Sequence, residues 1–446
     1  MTQATTIRRT GSVAAREELP LDGVRVVDLT RAWAGPSCTA FLAELGADVI
    51  KVEEPAGEGL RMGGFREVEG AASDPSIVTD RPYNLSSIFN HLNRGKRAIA
   101  IDLSVPRGRE VLLGLVAQSQ IVVENYRPGV MEALGLGFET LREANPAIIL
   151  GSNGGYGHSG PYSGYRGYGV AVEPMSGLFS VTGYEGSHPQ RSGVDHPDPQ
   201  AGLSMASGLL VALYRQRRTG NGQHMKTSLL RAMAACFTPR VIEYRATGEV
   251  PTRHGNDSEA YSPHDVYRCA GEDEWIAIAV TNVEQWRALC DVIGRPEMAA
   301  NTALDGVDAR RDRREQIDAA IGEWAAARTK AEAEAELQRR GVPAAAAQSV
   351  SDLLADDQLA SRRFFRELPH AEAGTKPYAG PRLKLDGQDL PAAGGPMFAE
   401  HRVALLRDLL GMSQPEIESL DAEHIVPAEP WRRPARSGEQ QGRPTP

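Results

Sequence analysis

Short apolar runs alternate with longer stretches of helical repeat through the N-terminal third of the chain. GVRVVDLT (Gly23 to Thr30) is β-branched and apolar almost throughout, which predicts a buried strand. The next segment, GPSCTAFLAELGADVIKVEEP, predicts a helix ending at Gly46 and a second strand from Asp48 to Glu53. The rhythm continues with RAIAIDL as a strand, PRGREVLLGLVAQS as a helix opened by Pro106, and QIVVEN as a strand. GVMEALG and ETLREANP then give helical pieces, and AIILGSNG gives another strand. Strands alternating with helices at this spacing imply a largely parallel sheet with helices on its faces. Ligands of such sheets sit at the carboxyl ends of the strands.

Further on, PQAGLSMASGLLVALYRQRRTGNGQHMKTSLLRAMAACF predicts a long apolar helix, a Thr-Gly-Asn-Gly turn and a second helix, with Asp198 as N-cap of the first. Composition shifts after about Thr247. From Arg253 to about Val350 the pattern gives a strand, WIAIAV, and helices around VEQWRALCDVIG and REQIDAAIGEWAAA. A charged helix, KAEAEAELQRRG, follows and is closed by Gly341 and Pro343. This stretch reads as a smaller second domain. HRVALLRDLLG and SQPEIESL, the latter opened by Ser413, add helices near the C-terminus. PAEPWRRPARSGEQQGRPTP has the composition of a disordered tail.

Composition narrows the class. A chain of 446 residues, 41% hydrophobic and 24% charged, has the make-up of an ordinary globular protein of two or three domains. A formal charge of −9 argues against a nucleic-acid binder or a membrane-surface protein, since either needs a concentrated basic face. The four cysteines, Cys38, Cys236, Cys269 and Cys290, lie far apart and show no metal-ligand spacing, as expected of reduced thiols. The polar N-terminus lacks a signal-peptide core, and no run approaches the ~20 apolar residues of a spanning helix. A cytoplasmic location is the expectation.

The chemistry concentrates between Ser152 and Gly193, a glycine- and tyrosine-rich segment. Its glycines let backbone N–H groups approach a ligand closely, as an oxyanion or phosphate cradle requires. Its only carboxylates are Glu173 and Glu185. Gly155, Gly157 and Gly160 spell a dinucleotide fingerprint after a strand, but Pro161 to Gly164 break the helix that must follow, so no nicotinamide or flavin site is expected. GNGQH (Gly220 to His224) reads as a connecting turn rather than a phosphate loop. Two strand ends offer further candidates. TRAWAGPSC presents helix N-terminal N–H groups to a ligand, or is simply a tight turn with Trp33 packed beneath it. VENYRPG sets an aromatic ring beside a guanidinium, suited to an adenine and a phosphate, or forms a turn cap.

These pieces together resemble the family III CoA-transferases, the formyl-CoA and carnitine CoA-transferase group that includes the α-methylacyl-CoA racemases. The resemblance spans nearly the whole chain. It rests on LDGVRVVDLTRAWAGPSCTAFLAELGADVIKVEEP, NRGKRAIAIDL, VENYRPGVMEALGLG, PAIILGSNGGYGHSGPY, SGLFSVTG and RQRRTGNGQHMKTSL, and on the Arg253-His254-Gly255-Asn256 segment and the closing EHRVALLRDLLGMSQPEIESL. It implies an α/β fold: a Rossmann-like large domain built from both ends of the chain, an inserted smaller α+β domain, and an interlocked dimer. The domain limits expected are a flexible segment 1–20, the large domain 21–245 resumed at 351–427, the small domain 246–350, and a disordered tail 428–446.

The resemblance also implies a site. Arg31, Ala32, Trp33 and Ala34 would lie along the pantetheine and pyrophosphate of CoA, Ile101 and Leu103 would flank the adenine, and Asn125, Tyr126, Arg127 and Val130 would complete the pocket. Tyr156 would approach the thioester. Ser104 and Ala133 stand where relatives often carry basic residues. The family nucleophile is an aspartate, commonly in T-G-Y-P-D-G-P-P, whose carboxylate attacks the acyl-CoA thioester. Here the text is Thr182-Gly183-Tyr184-Glu185-Gly186-Ser187-His188-Pro189. Aligned without a gap, Gly186 takes the aspartate's place; shifted by one residue, Glu185 does, and Glu185 is the expected nucleophile. Glu173 is expected to act as a hydrogen-bonding neighbour. Gly167-Tyr168-Gly169 replaces the Gly-His-Asp of the racemases, which argues against α-proton exchange. The expected activity is CoA transfer from an acyl-CoA to a free carboxylic acid, with CoA as substrate and no permanent cofactor or metal. The alternative is a catalytically impaired CoA-binding subunit beside a paralogue. A homodimer, or a heterodimer with such a paralogue, is the expected assembly.

Overall fold

The computed structural model describes residues 19–62 and 79–432 and divides into two compact units. Of the described residues, the first comprises those up to 176, 195–236 and those from 363 onward; the second comprises 177–194 and 237–362. Residues 1–18 of the flexible segment expected at 1–20, and most of the tail expected from 428, fall outside the described residues. Residues 428–432 are described, and Glu429 is paired with Arg81 at 3.6 Å.

In the first unit six parallel strands, β1 (Arg25–Asp28), β2 (Asp48–Glu53), β3 (Arg97–Ala100), β4 (Ile121–Glu124), β5 (Ile149–Gly154) and β6 (Gln223–Ser228), run in the order β3-β2-β1-β4-β5-β6. This is the order of doubly wound sheets, whose switch point between β1 and β4 opens a crevice at the carboxyl ends. The apolar runs are continuous because the central strands are covered on both sides. Val27, Ile50, Val122 and Leu150 enter one core, with helix α2 (Pro106–Ala117) and the helix Gln414–Ala422. Their neighbours Val26, Val49, Val123 and Ile149 enter the opposite core, with α1 (Ala34–Glu44) and α3 (Pro197–Thr219). Helices α1 and α3 approach closely at Gly202, where a Cβ would lie 2.6 Å from the carbonyl of Ala34.

Two expectations need correction. The segment after the Thr-Gly-Asn-Gly turn does not pass directly into a helix: Gln223–Ser228 is the edge strand β6, paired in register with Ile149–Gly154, and only Leu229–Cys236 is helical. Its polar side chains hide it from a pattern search, and Gly222 makes it possible, since a Cβ there would sit 2.1 Å from the Ile148 carbonyl. Nor is Asp198 the N-cap of α3. The cap is His196, and Asp198 is buried in the first turn.

The second unit is built on an antiparallel sheet of His264–Arg268, Trp275–Ala279 and Ala344–Ala346. Helices Val283–Val292, Arg314–Ala326 and Lys330–Arg339 close its core, in which Ile276, Trp286, Ile321 and Leu337 are fully enclosed. Residues 177–194 belong to this unit although 246 was the expected boundary. Among the described residues no helix is long and apolar enough to cross a membrane. No group of three His, Cys, Asp or Glu side chains is placed there to hold a metal ion.

Candidate active site

The turn that follows β1 is fixed from below by buried charge. Asp28 is fully buried and accepts hydrogen bonds from Thr30 N (2.9 Å), Thr39 Oγ1 (2.6 Å) and Lys96 Nζ (2.9 Å). Burial opposes the Asp28 charge, but Lys96 and Lys51 outweigh it and hold the carboxyl below its ordinary range; burial brings Lys96 down to about 8. Lys51 Nζ donates to the Thr30 carbonyl and to Glu58 at 2.8 Å. Arg31 is then bracketed by a single side chain. Asn125 Oδ1 accepts the Arg31 N–H and Asn125 Nδ2 donates to the Arg31 carbonyl, each at 2.7 Å. This framework stabilises the positive φ of 57° at Ala32.

Above this turn lies a cleft of about 510 Å³ at the carboxyl ends of β1 to β4. Arg31, Ile101, Leu103, Tyr126, Arg127 and Val130, which the sequence singled out, line it together. The Arg31 guanidinium lies 5.1 Å from the Tyr126 ring centroid and pairs with Glu54. Burial pushes the Tyr126 phenol up, while Arg31, despite its own burial, is held above its usual value by Tyr126 and Glu54. Glu53 is matched by a bidentate pair with Arg61 at 2.9 and 3.0 Å. Arg127 and Arg432 have no ion-pair partner among the described residues. The cleft therefore offers apolar walls, an aromatic face and uncompensated guanidinium groups, which suits an anionic ligand with an apolar portion.

The other candidates sit elsewhere. Asn125 does not line the cleft; both functions of its amide are spent on Arg31. Trp33 packs on the Leu60, Phe89 and Leu92 cluster. Ala34 is buried, and its N–H, expected to face a ligand, donates to Asp198 Oδ1 at 3.3 Å. Burial, with Asp195 nearby, pushes Asp198 up to about 6. Tyr156 donates to the Ala171 carbonyl at 3.3 Å and packs edge-on against Tyr165. Beside Tyr126, Glu124 accepts the Tyr126 N–H at 2.7 Å and lies 3.8 Å from His158 Nε2. Ser152 Oγ and His224 Nε2 are 2.8 Å apart; burial, with Lys226 and His158, brings His224 down to about 4.

Residues 53–56, Trp431 and Arg432 also line the cleft and were missed. The rule that ligands meet strand carboxyl ends would have found the first group at the end of β2 and directly after it. Trp431 and Arg432 carry no such signal.

Glu185 lies in the second unit, exposed, in a tight turn closed by Ser187 N–H donating to the Tyr184 carbonyl at 3.0 Å. Gly183 takes φ 127° there, and its carbonyl accepts the Gly255 N–H at 2.9 Å. Thus the Arg253-His254-Gly255-Asn256 segment supports the turn. Among the described residues the Glu185 carboxylate has no hydrogen-bond or ion-pair partner. Glu173, by contrast, is fully buried in the first unit. No helix follows Gly155 to Gly160 until Gly169, so the dinucleotide reading has no structural support.

Residues 21–402 match the model of CoA-transferase family III. The chain belongs to that family. It is a transferase. A relative from Haloarcula marismortui, the succinyl-CoA:mesaconate CoA-transferase, is 34% identical over 86% of this chain and 95% of its own length. The formyl-CoA:oxalate CoA-transferase of Streptomyces avermitilis is 30% identical over 91% of this chain and 99% of its own. A crystal structure of a CAIB/BAIF family protein from Brucella suis superposes with a TM-score of 0.77 at 31% identity, covering 88% of this chain and all of that one.

Proposed function

We propose that this family III member transfers CoA from an acyl-CoA thioester to a free carboxylic acid, that acyl-CoA occupies the cleft above β1 to β4 in a Rossmann-like domain, and that Glu185 is the nucleophile. The observation that carries this reading is the cleft itself, in which Arg31, Tyr126 and Arg127 join apolar residues at the switch point of the sheet. The relatives' names, each pairing an acyl-CoA with a carboxylic acid, support the reaction class.

In the proposed cycle a Glu185 oxygen attacks the thioester carbonyl carbon, the C–S bond breaks, CoA leaves as thiolate, and a mixed anhydride of Glu185 and the donor acid remains. The thiolate attacks the glutamyl carbonyl, releasing the donor acid and leaving CoA as a thioester of Glu185. The acceptor carboxylate attacks that thioester, breaking its C–S bond to give a second mixed anhydride and free CoA thiolate; the thiolate then attacks the acceptor's acyl carbon, which forms the product thioester and releases the Glu185 carboxylate. An exposed carboxylate in a glycine-flanked turn is free to do this, and backbone N–H groups of such a loop are suited to the developing oxyanion. Incubation with acyl-CoA followed by mass spectrometry should reveal a covalent CoA adduct on the Glu185 peptide. Glu185→Gln should abolish transfer and the adduct while leaving CoA affinity nearly unchanged.

A second reading is a CoA-binding subunit whose nucleophile comes from a paralogue; it is favoured by the lack of an aspartate between Thr182 and Pro189. Full activity of Glu185→Gln would point to it. Racemisation is disfavoured because a Cβ at residue 169 would lie 2.1 Å from Asp198 Oδ2, so the racemase aspartate has no room there. A dimer, interlocked as in the family, is supported by unpartnered apolar residues. The helix Thr238–Thr247 has no buried residue and exposes Val241, Ile242 and Tyr244; α3 exposes Leu203, Val211 and Tyr214. Light scattering at micromolar concentration should give about twice the 48.1 kDa chain mass.

A further inference from the structure

The last described residues enter the same cleft from the other end of the chain. Behind the helix Gln414–Ala422, the Ile425 carbonyl accepts the Asp102 N–H at 2.8 Å and the Val426 carbonyl accepts from Arg402 at 3.1 Å. The Trp431 N–H donates to the Pro55 carbonyl at 2.7 Å, and its ring stacks on His424 with centroids 4.4 Å apart and planes within 10°. Glu429 accepts from Tyr83 Oη. Trp431 and Arg432 thereby reach the cleft wall, next to the turn after β2. This segment lies beyond residue 402, where the family match ends.

We propose that Trp431 and Arg432 are binding residues for the phosphorylated adenosine end of CoA. The inference rests on the reading of the cleft as the acyl-CoA site and adds to it two residues that lie beyond the matched span. The chemistry follows from the charges. Glu53 and Glu54 are already matched by Arg61 and Arg31, whereas Arg127 and Arg432 have no internal counter-ion and remain for an anion. The adenosine end of CoA is the part that carries phosphates and a purine, the natural partners of guanidinium groups and an indole. Because the His424 stack and the Pro55 hydrogen bond already hold Trp431, ligand binding need not order it, which favours affinity.

The test is calorimetric titration of the full chain and its Trp431→Ala and Arg432→Gln variants with CoA, dephospho-CoA and a pantetheine thioester. We expect Arg432→Gln to weaken CoA about tenfold, roughly 1.4 kcal/mol, and to leave the pantetheine thioester unaffected. Trp431→Ala should weaken CoA and dephospho-CoA alike, since both carry the purine. If the Arg432→Gln effect disappears with dephospho-CoA, the guanidinium meets the 3′-phosphate; if it persists, it meets the pyrophosphate; both outcomes support the proposal. Wild-type affinity for CoA in both variants overturns it, and so does an equal loss for CoA and the pantetheine thioester, which marks a merely structural clamp. Arg432 is exposed, so Arg432→Gln carries the test should Trp431→Ala fail to fold. Failure of the wild-type chain to bind CoA at all would instead remove the reading of the cleft.

Discussion

Replacing Asn125 with alanine tests whether the turn after β1 is held by a neighbouring side chain or by the ligand. Asn125 makes two hydrogen bonds, both 2.7 Å, to the N–H and the carbonyl of the same residue, Arg31. A bond of this kind contributes about 0.5–1.5 kcal/mol net, and a group left unsatisfied in the interior costs ~1–3 kcal/mol. Arg31 is only half-buried, so water recovers part of the loss, and about 2 kcal/mol of ligand-free stability is the expected deficit. Asn125→Asp should lie between, since a carboxylate accepts the Arg31 N–H but cannot donate to its carbonyl. CoA affinity should fall as well, because the Arg31 guanidinium loses its fixed place beside Tyr126. Denaturant unfolding of the free protein and calorimetric titration with CoA give the two numbers, and a cycle with Arg31→Ala should show a coupling of at least ~0.5 kcal/mol. Unchanged unfolding together with additive effects on binding would refute the argument and return Asn125 to direct ligand contact.

Lys96→Met should lower stability by about 3–5 kcal/mol, because it strips the fully buried Asp28 of an ion-pair partner; Asp28→Asn in the same chain should recover part of the loss. An unfolding midpoint close to wild type in Lys96→Met would contradict this. His224 titrates near 4 in the folded chain against 6.5 unfolded, so between those values the unfolded chain binds more protons. Its share of stability is complete above pH 6.5 and is lost as pH falls towards 4. The difference in melting temperature between wild type and His224→Phe should therefore change across that window and level off above it; a constant difference from pH 4 to 7 would show that His224 does not titrate this way.

Much of the sheet was legible because a strand covered on both faces must be apolar at nearly every position, as Val26 and Val27 show by entering opposite cores. Helix starts were legible where a local device fixes them, the proline ring at Pro106 and the capping box of Ser413 with Glu416. Strand β6 was not, because an edge strand of polar residues is defined by its partner, Ile149–Gly154, and not by its own periodicity. The same division runs through the candidate site. Ile101, Leu103, Tyr126 and Arg127 follow strands directly, so chain order alone brings them to one edge. Which way their neighbours point is a matter of tertiary competition: Asp198 takes the Ala34 N–H, the Phe89 cluster takes Trp33, and the Arg31 backbone takes the Asn125 amide. Trp431 and Arg432 lie in a segment whose composition reads as solvated tail. The hydrogen bond to Pro55, and those from Asp102 and Tyr83 to the same segment, join residues distant in sequence and bring it to the cleft; no local propensity encodes such contacts.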